Sequence, residues 1–418
     1  MRRAIIVAVN TLESLEKINY QLEELKNLAL ACDIEIIDNI IQKLPDKHPN
    51  TYVGKGKLLQ LQEAVVFHEV DLIVINDELT PNQINNLSKY LKIDIYDRTF
   101  LILEIFQKRA KTKEALLQVE AALLKYMLPR LAGLHKGLSR QRGTTAQGVA
   151  RGRGAGETQL ELDRRYIKNQ IQTVQKELAK LMKRRQQQRN KRKKTEIKTV
   201  GLVGYTNSGK STLLNALLKY TVERKKTVFQ KDILFATLET ATRLIRTENN
   251  VKFLVTDTVG FVDNLPPHLI EAFKSTLEEI SEADLVVHVV DAANPNFEKQ
   301  IDTTNHVLSE LGVKSKPIIY VFNKIDLMEG DFVIPEYCDK AIKISAEKII
   351  NIEKFLTLIE EELFNDYRTI KINVPLYKSD LIASIKSEAI IINEKVTKEG
   401  LLIEAKIPEK LYREIQNI

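Results

Sequence analysis

The chain has 418 residues, with 63 Lys and Arg against 56 Asp and Glu, a formal charge of +7. Apolar residues make up 44% and charged residues 28%, with 16 Gly and 11 Pro, which suits several cored globular domains and excludes a collagen-like or globally disordered chain. Cys32 and Cys338 are far apart and form neither a disulfide framework nor a metal cluster.

The apolar run at the start stops at Asn10, too short for a signal peptide. No stretch approaches the ~18 apolar residues of a membrane span, so a cytoplasmic protein is expected. Residues 1–111 alternate strand and helix patterns. Strands are predicted at Ala4–Val9, Ile34–Ile40, Asp71–Ile75 and Ile93–Tyr96, with helices near 12–30, 57–68 and 81–91. Thr80-Pro81-Asn82-Gln83 reads as a helix start with a capping box. This alternation predicts a small parallel α/β domain. Val53-Gly54-Lys55-Gly56-Lys57 reads as a tight turn with solvated lysines rather than a second nucleotide site.

Residues 112–196 predict an antiparallel helical hairpin. One helix covers Lys113–Leu128 and a longer one runs from about Glu157 to Lys194. In the longer helix Leu160, Ile167, Ile171, Val174, Leu178 and Leu181 repeat as a heptad seam. Between the helices, Arg130–Gly156 holds seven of the sixteen glycines, a loop that is mobile or binds through its backbone. Residues 197–365 predict a second α/β domain with strands Thr199–Val203, Phe253–Thr256, Leu285–Val290, Ile318–Phe322 and Ala341–Ile344. Residues 366–418 predict a small α+β domain, with strands Ile370–Val374, Glu388–Asn393 and Leu401–Ala405 joined by two helical stretches. The histidines, His48, His68, His135, His268, His288 and His306, show no metal spacing and read as ordinary surface or core residues.

Gly204-Tyr205-Thr206-Asn207-Ser208-Gly209-Lys210-Ser211 is a GxxxxGKS loop between a strand and a helix. Its N–H groups can cradle phosphates, Lys210 can reach the β- and γ-phosphates, and the Ser211 hydroxyl can ligate Mg²⁺. Asp257-Thr258-Val259-Gly260 ends a strand, so Asp257 can hold Mg²⁺ through water and the Gly260 N–H can touch the γ-phosphate. Asn323-Lys324-Ile325-Asp326 ends another strand. The Asp326 carboxylate can accept two hydrogen bonds from guanine that adenine cannot give. Lys324 can lie along the base plane, and Ser345-Ala346-Glu347 can place N–H groups on guanine O6. In this order and spacing the motifs resemble those of Ras-like GTPases and predict binding of GTP and GDP with Mg²⁺; a dedicated ATPase is disfavoured.

Phe261 stands where such enzymes carry the glutamine that orients the attacking water. Slow hydrolysis alone, accelerated by a partner, is therefore expected. For Asn207 two readings stand: a ligand for K⁺, or a loop asparagine bonding its own backbone. Thr221, Thr227, Thr237, Thr240 and Thr242 are all candidates for the switch threonine on Mg²⁺, and spacing does not choose among them.

Gly152–Glu161 (GRGAGETQLE) with Asp163-Arg164-Arg165, the stretch from Asp97-Arg98-Thr99 through Leu128-Pro129-Arg130-Leu131, and the apolar residue after the Asp257–Gly260 motif together resemble the HflX family of ribosome-associated GTPases. Ala155 departs from the family's usual proline. The resemblance covers about residues 1–365. It implies an N-terminal HflX-type domain, a helical hairpin, a GTPase domain and a short C-terminal domain. It implies that Phe235-Ala236-Thr237-Leu238-Glu239 is switch I, with Thr237 on Mg²⁺, and it adds Thr237 to Lys210, Gly260 and Asn207 as candidate catalytic groups. It also implies binding to the large ribosomal subunit and the splitting of stalled or idle ribosomes.

Two cationic segments support an RNA partner independently. Lys183–Lys194 has eight cations and no acid, and Arg130–Arg153 has six and no acid. Together they carry +14, so the other 382 residues sum to −7. The first reads as phosphate contact through Lys183, Arg184, Arg185 and Lys193, ahead of a solvated helix end. In the loop, Arg140, Arg142, Arg151 and Arg153 can fork onto phosphates or stack on unpaired bases. A monomer that binds rRNA, without DNA, is expected. The alternatives are a ribosome-assembly or RNA-checkpoint GTPase and a non-ribosomal regulator of a protein partner.

Overall fold

The computed structural model describes residues 1–11, 13–131, 155–193, 197–219, 241–247, 251–263, 266, 269, 279–310, 312–313, 316–328, 330, 332–397 and 400–416. They form two compact units, one mainly from Met1–Gln188 and one mainly from Arg189–Ile418.

The first unit is built on a parallel sheet in the order β2-β1-β3-β4, with β1 Arg2–Asn10, β2 Ile34–Lys43, β3 Leu72–Ile75 and β4 Asp94–Asp97. Seven consecutive residues of β1 are buried, the continuous apolar run that a central parallel strand requires. Helices α1 Leu15–Ala31, α2 Lys55–His68 and α3 Pro81–Leu91 connect the strands. The capping box at α3 forms: Thr80 accepts from the Gln83 N–H and Gln83 reaches back to the Thr80 N–H. Gly54 is the N-cap of α2, and Lys55 and Gly56 are exposed, as the tight-turn reading requires.

Helix α4, Arg98–Arg109, was not among the elements expected from sequence. Leu101, Ile102, Leu103, Ile105 and Phe106 are all buried, so its apolar residues do not fall into a single-faced period. Asp97 caps it through the Phe100 N–H at 2.8 Å. Arg98 is paired with Glu24 of α1, both almost wholly buried. Part of the Asp97–Leu131 stretch therefore serves folding.

Helix α5 spans Lys113–Met127 and is capped by Thr112. A short turn, Leu128–Arg130, follows it. Helix α6 runs over Ala155–Lys193, with Ile167 and Val174 of the seam buried and Ile171, Leu178 and Leu181 half-buried. Lys113 pairs with Glu177 at 3.2 Å, linking the start of α5 to the later part of α6 as an antiparallel hairpin does.

The second unit contains a six-stranded sheet in the order β10-β9-β8-β5-β7-β6. Its strands are β5 Thr199–Val203, β6 Ala241–Arg246, β7 Lys252–Asp257, β8 Leu285–Asp291, β9 Ile318–Asn323 and β10 Ala341–Lys343. All neighbours run parallel except the β6–β7 pair. The antiparallel edge strand β6 was not expected, since only Ile245 of its residues is buried. Helices α7 Lys210–Lys219, α8 Phe297–Glu310 and α9 Ile352–Leu363 flank the sheet. Leu213, Leu214, Leu217, Val287, Val289, Phe355 and Ile359 share its main core.

The last residues form an antiparallel sheet, β11-β13-β12, from β11 Arg368–Val374, β12 Ile390–Thr397 and β13 Gly400–Ile407. One correction concerns connectivity. Only α10, Ser379–Glu388, lies between strands; β12 and β13 pair as a hairpin at Thr397 and Gly400, and α11, Glu409–Gln416, follows the last strand.

His288 of β8 is a core histidine, 1% exposed, with its ring 5.3 Å from that of Tyr320. Burial, aided by the charge of Lys210, pulls its pKa down to about 3 from 6.5. Between those values the unfolded chain binds a proton that the folded chain refuses, so stability falls as pH drops below 6.5. The expected loss by pH 5 is about 2 kcal/mol. Urea unfolding at pH 7 and pH 5 checks this, because His288→Phe should remove that component of the slope.

Candidate functional site

Parallel α/β sheets bind ligands where strand order reverses, beyond the carboxyl ends of the strands. Here that point is the end of β5, with β7 on one side and β8 on the other. Gly204–Gly209 fills it and α7 begins at Lys210. Two glycines are required by geometry. Gly204 has φ +146° and an added Cβ would collide with the Val289 carbonyl; Gly209 has φ +92° and a Cβ would collide with the Asn323 amide.

Around this loop the strand ends converge. Asp257 ends β7, Asp291 ends β8 and Asn323 ends β9, while Ser345-Ala346 follows β10. The register places Leu202 beside Asp257 and Asp291 beside Asn323. The structure thus brings Gly204–Ser211, Asp257–Gly260, Asn323–Asp326 and Ser345–Glu347 to the carboxyl end of one sheet.

The Ser211 hydroxyl donates to the fully buried Asp257 carboxylate at 2.6 Å. This pairs two hard oxygen groups beside the loop, a donor set that fits Mg²⁺. The Lys210 ammonium donates to the carbonyls of Gly204 at 3.0 Å and Tyr205 at 2.8 Å. Burial lowers its pKa to about 8, Asp257 opposing and Lys324 reinforcing that shift. Thr258 donates to the Leu202 carbonyl at 2.7 Å, fixing the turn after β7.

Asn323 ties three segments together. Its amide donates to the Ser208 carbonyl at 3.0 Å, its side-chain oxygen accepts from the Ala346 N–H at 2.9 Å, and its backbone carbonyl accepts from Ala292 at 2.9 Å. Ser345 is fully buried and accepts from the Lys348 N–H at 3.0 Å, while Glu347 is exposed. Ile325-Asp326 opens a short turn after Lys324, and Asp326 is exposed, with no partner for its carboxylate among the described residues. Its carboxylate is thus accessible, next to a strand end fixed by Asn323.

Phe261 is 2% exposed and forms a parallel bridge with Tyr205. Its N–H donates to Gly204 at 3.1 Å and its carbonyl accepts from Thr206 at 2.7 Å. Gly260 lies against Thr206, close enough that a Cβ would crowd the Thr206 backbone. Val259 is buried. Tyr205 adds a contact that the motif does not disclose, its hydroxyl accepting from the Asp263 N–H at 2.6 Å. An apolar ring in this buried position cannot hold a water by hydrogen bonding.

Asn207 is exposed with φ +61°, the left-handed conformation asparagine tolerates best among non-glycine residues. Its side chain makes no hydrogen bond among the described residues, so the self-bonding alternative is not formed. Of the five candidate switch threonines, Thr242 lies in β6 with its hydroxyl 3.1 Å from that of Thr256. Thr221, Thr227, Thr237 and Thr240, and with them Phe235–Glu239, lie outside the described residues.

Lys183 and Arg184 are exposed on α6, whereas the side chains of Arg185 and Lys193 lie outside the description, as do Arg140, Arg142, Arg151 and Arg153. Arg130 proves not to be a free cation. It is 7% exposed, stacks 3.6 Å over the Tyr126 ring, donates to the carbonyls of Tyr126 and Leu79, and pairs with Glu78 and Asp97. It anchors the chain where the glycine-rich loop begins.

Comparison with known proteins adds the following. Residues 19–107 match the family described as GTP-binding GTPase N-terminal, residues 109–192 the GTP-binding GTPase middle region, and residues 199–324 the 50S ribosome-binding GTPase family. The chain is 42% identical over 416 residues to GTPase HflX of Caldanaerobacter subterraneus subsp. tengcongensis, covering 99% of this chain and 93% of that one. It is 39% identical over 308 residues to GTPase HflX of Escherichia coli K12, covering 74% and 70%. Among solved structures, a GTP-binding protein of Sulfolobus solfataricus in complex with GDP is 26% identical with a TM-score of 0.44, covering 87% of this chain and 99% of that one.

Proposed function

The chain belongs to the HflX family of GTPases, and from that premise we propose that this GTP-binding, GTP-hydrolysing protein associates with the large ribosomal subunit and splits stalled or idle ribosomes into subunits. The observation that carries the proposal is the match of residues 199–324 to the 50S ribosome-binding GTPases. The exposed Lys183 and Arg184 on α6 agree with contact to rRNA phosphates. The protein acts as a cytoplasmic monomer in this reading; no helix among the described residues is long and apolar enough to cross a membrane. Its four domains are 1–111, 112–196, 197–365 and 366–418.

Gly204–Ser211 cradles the phosphates, and Lys210 exchanges its two loop carbonyls for the β- and γ-phosphates. Ser211 and Asp257 would hold Mg²⁺, and the ion bound there would neutralise phosphate charge. Asp326 reads the guanine edge, Lys324 lines the base, and the Ala346 region faces guanine O6. The exposed Asn207 amide is offered to K⁺, which rates in K⁺ against Na⁺ would reveal.

Phe261 leaves the water-orienting role unfilled within the described residues. Hydrolysis is accordingly slow alone, and the ribosome supplies or orders the missing element. Turnover measured alone, with small subunits and with large subunits tests this. Stimulation confined to samples containing large subunits is expected, whereas a fast rate that no ribosomal particle changes would defeat the proposal.

A further inference from the structure

Asp291 is the last residue of β8 and belongs to none of the nucleotide motifs. It caps the strand end, accepting the Ala293 N–H at 3.1 Å. Its second oxygen does something else: it takes the Lys324 ammonium at 2.8 Å. Both side chains are largely covered, 17% and 21% exposed. Backbone pairing of Asp291 with Asn323, and the Ala292 N–H on the Asn323 carbonyl, fix the two strand ends against each other.

Lys324 is thus paired with one acid and close in sequence to a second. Asp326 lies two residues on, exposed and without a partner among the described residues. Asp291 lies across the strand gap, oriented by the Ala293 N–H. A flexible ammonium beside an exposed carboxylate would pair with it in the absence of a better-placed acid, and a carboxylate so engaged would accept less well from a base. We propose that Asp291 is a specificity-determining positioning residue: it holds the Lys324 ammonium away from Asp326, so that the Asp326 carboxylate stays available to the guanine N1–H and exocyclic amine and the Lys324 stem stays extended as a wall of the base slot. The inference rests on the reading of Asn323–Asp326 as the base site.

The test compares equilibrium binding of GDP and IDP, whose base lacks the exocyclic amine. Asp291→Asn keeps an acceptor for the Ala293 N–H but loses the charge. It should weaken GDP more than IDP, reducing the GDP-over-IDP preference about tenfold. Asp291→Ser, which retains a capping oxygen, gives the same readout should the first variant not fold. Lys324→Met removes the ammonium that would capture Asp326, so adding D291N to that background should leave the preference where K324M sets it. Equal weakening of GDP and IDP, or no weakening, overturns the inference and leaves Asp291 as a cap. A reduced preference that persists in the K324M background also overturns it. Asp326→Asn separates the two readings: if it leaves guanine preference intact the base site itself is misplaced, and if it abolishes that preference while D291N does nothing, only the role of Asp291 fails.

Discussion

Replacing Asp326 by asparagine should turn the protein from a guanine-specific into a xanthine-preferring nucleotide binder. In the proposed base site the carboxylate would accept from guanine N1–H and from the exocyclic amine, two bonds to a charged acceptor. An asparagine amide keeps an acceptor for N1–H but turns a donor towards the amine, so one bond is lost and two donors face each other. Bonds to charged groups contribute about 1.5–3 kcal/mol each, and the loss of GDP affinity should be on the order of a hundredfold or more. Xanthine carries a carbonyl where guanine carries the amine, which restores the match. Asp326 is exposed on the turn that follows Asn323, whose side chain bonds to Ser208 and Ala346. Competition between GDP and XDP for the purified variant measures the exchange. Unchanged GDP affinity would remove Asp326 from the base site.

Replacing Glu24 by alanine should destabilise the N-terminal unit by about 3–5 kcal/mol, because it removes the carboxylate that pairs with the buried Arg98 guanidinium. Arg98 is 3% exposed and Glu24 7%. The Asn76 side-chain oxygen also accepts from this guanidinium, at 3.5 Å. A buried pair is not itself a large source of stability, since both ions lose their hydration. Exchanging both residues for methionine should therefore cost far less than E24A alone. The chain has no tryptophan, so a Tyr90→Trp reporter on α3 lets urea unfolding be followed in this unit. A midpoint for E24A equal to that of the parent would show that Arg98 has found another partner.

Legible in the sequence were the apolar central strands, such as β1, β5, β8 and β9, and the positions where chemistry or capping demands particular residues. Gly204–Ser211, Asp257, Asn323–Asp326 and Ser345 were readable because phosphate and guanine accept few side chains at fixed strand ends, and the sheet order places those ends side by side. The Thr80–Gln83 cap was readable for the same reason. Helix α4 was not, because burial around most of its circumference hides the helical period. Edge strand β6 was not, because one buried residue leaves no alternation to see. The β12–β13 hairpin lacks an Asn-Gly signal at its turn. Arg130 shows how composition misleads: counted with an arginine-rich loop, it is instead committed to Asp97, Glu78 and the Tyr126 ring. The partner of Asp291 is 33 residues away, a pairing that only the parallel register of β8 and β9 discloses.

The central proposal is that GTP loads this protein onto the large ribosomal subunit; the family and the match of residues 199–324 to the 50S ribosome-binding GTPases support it. Sedimentation of ribosomes through a sucrose gradient, with the full chain and a non-hydrolysable GTP analogue at moderate salt, tests it most directly. The account predicts accumulation of free subunits with the protein on the large one. Co-migration with intact ribosomes would favour the assembly reading, and no co-migration with any ribosomal particle would contradict the account.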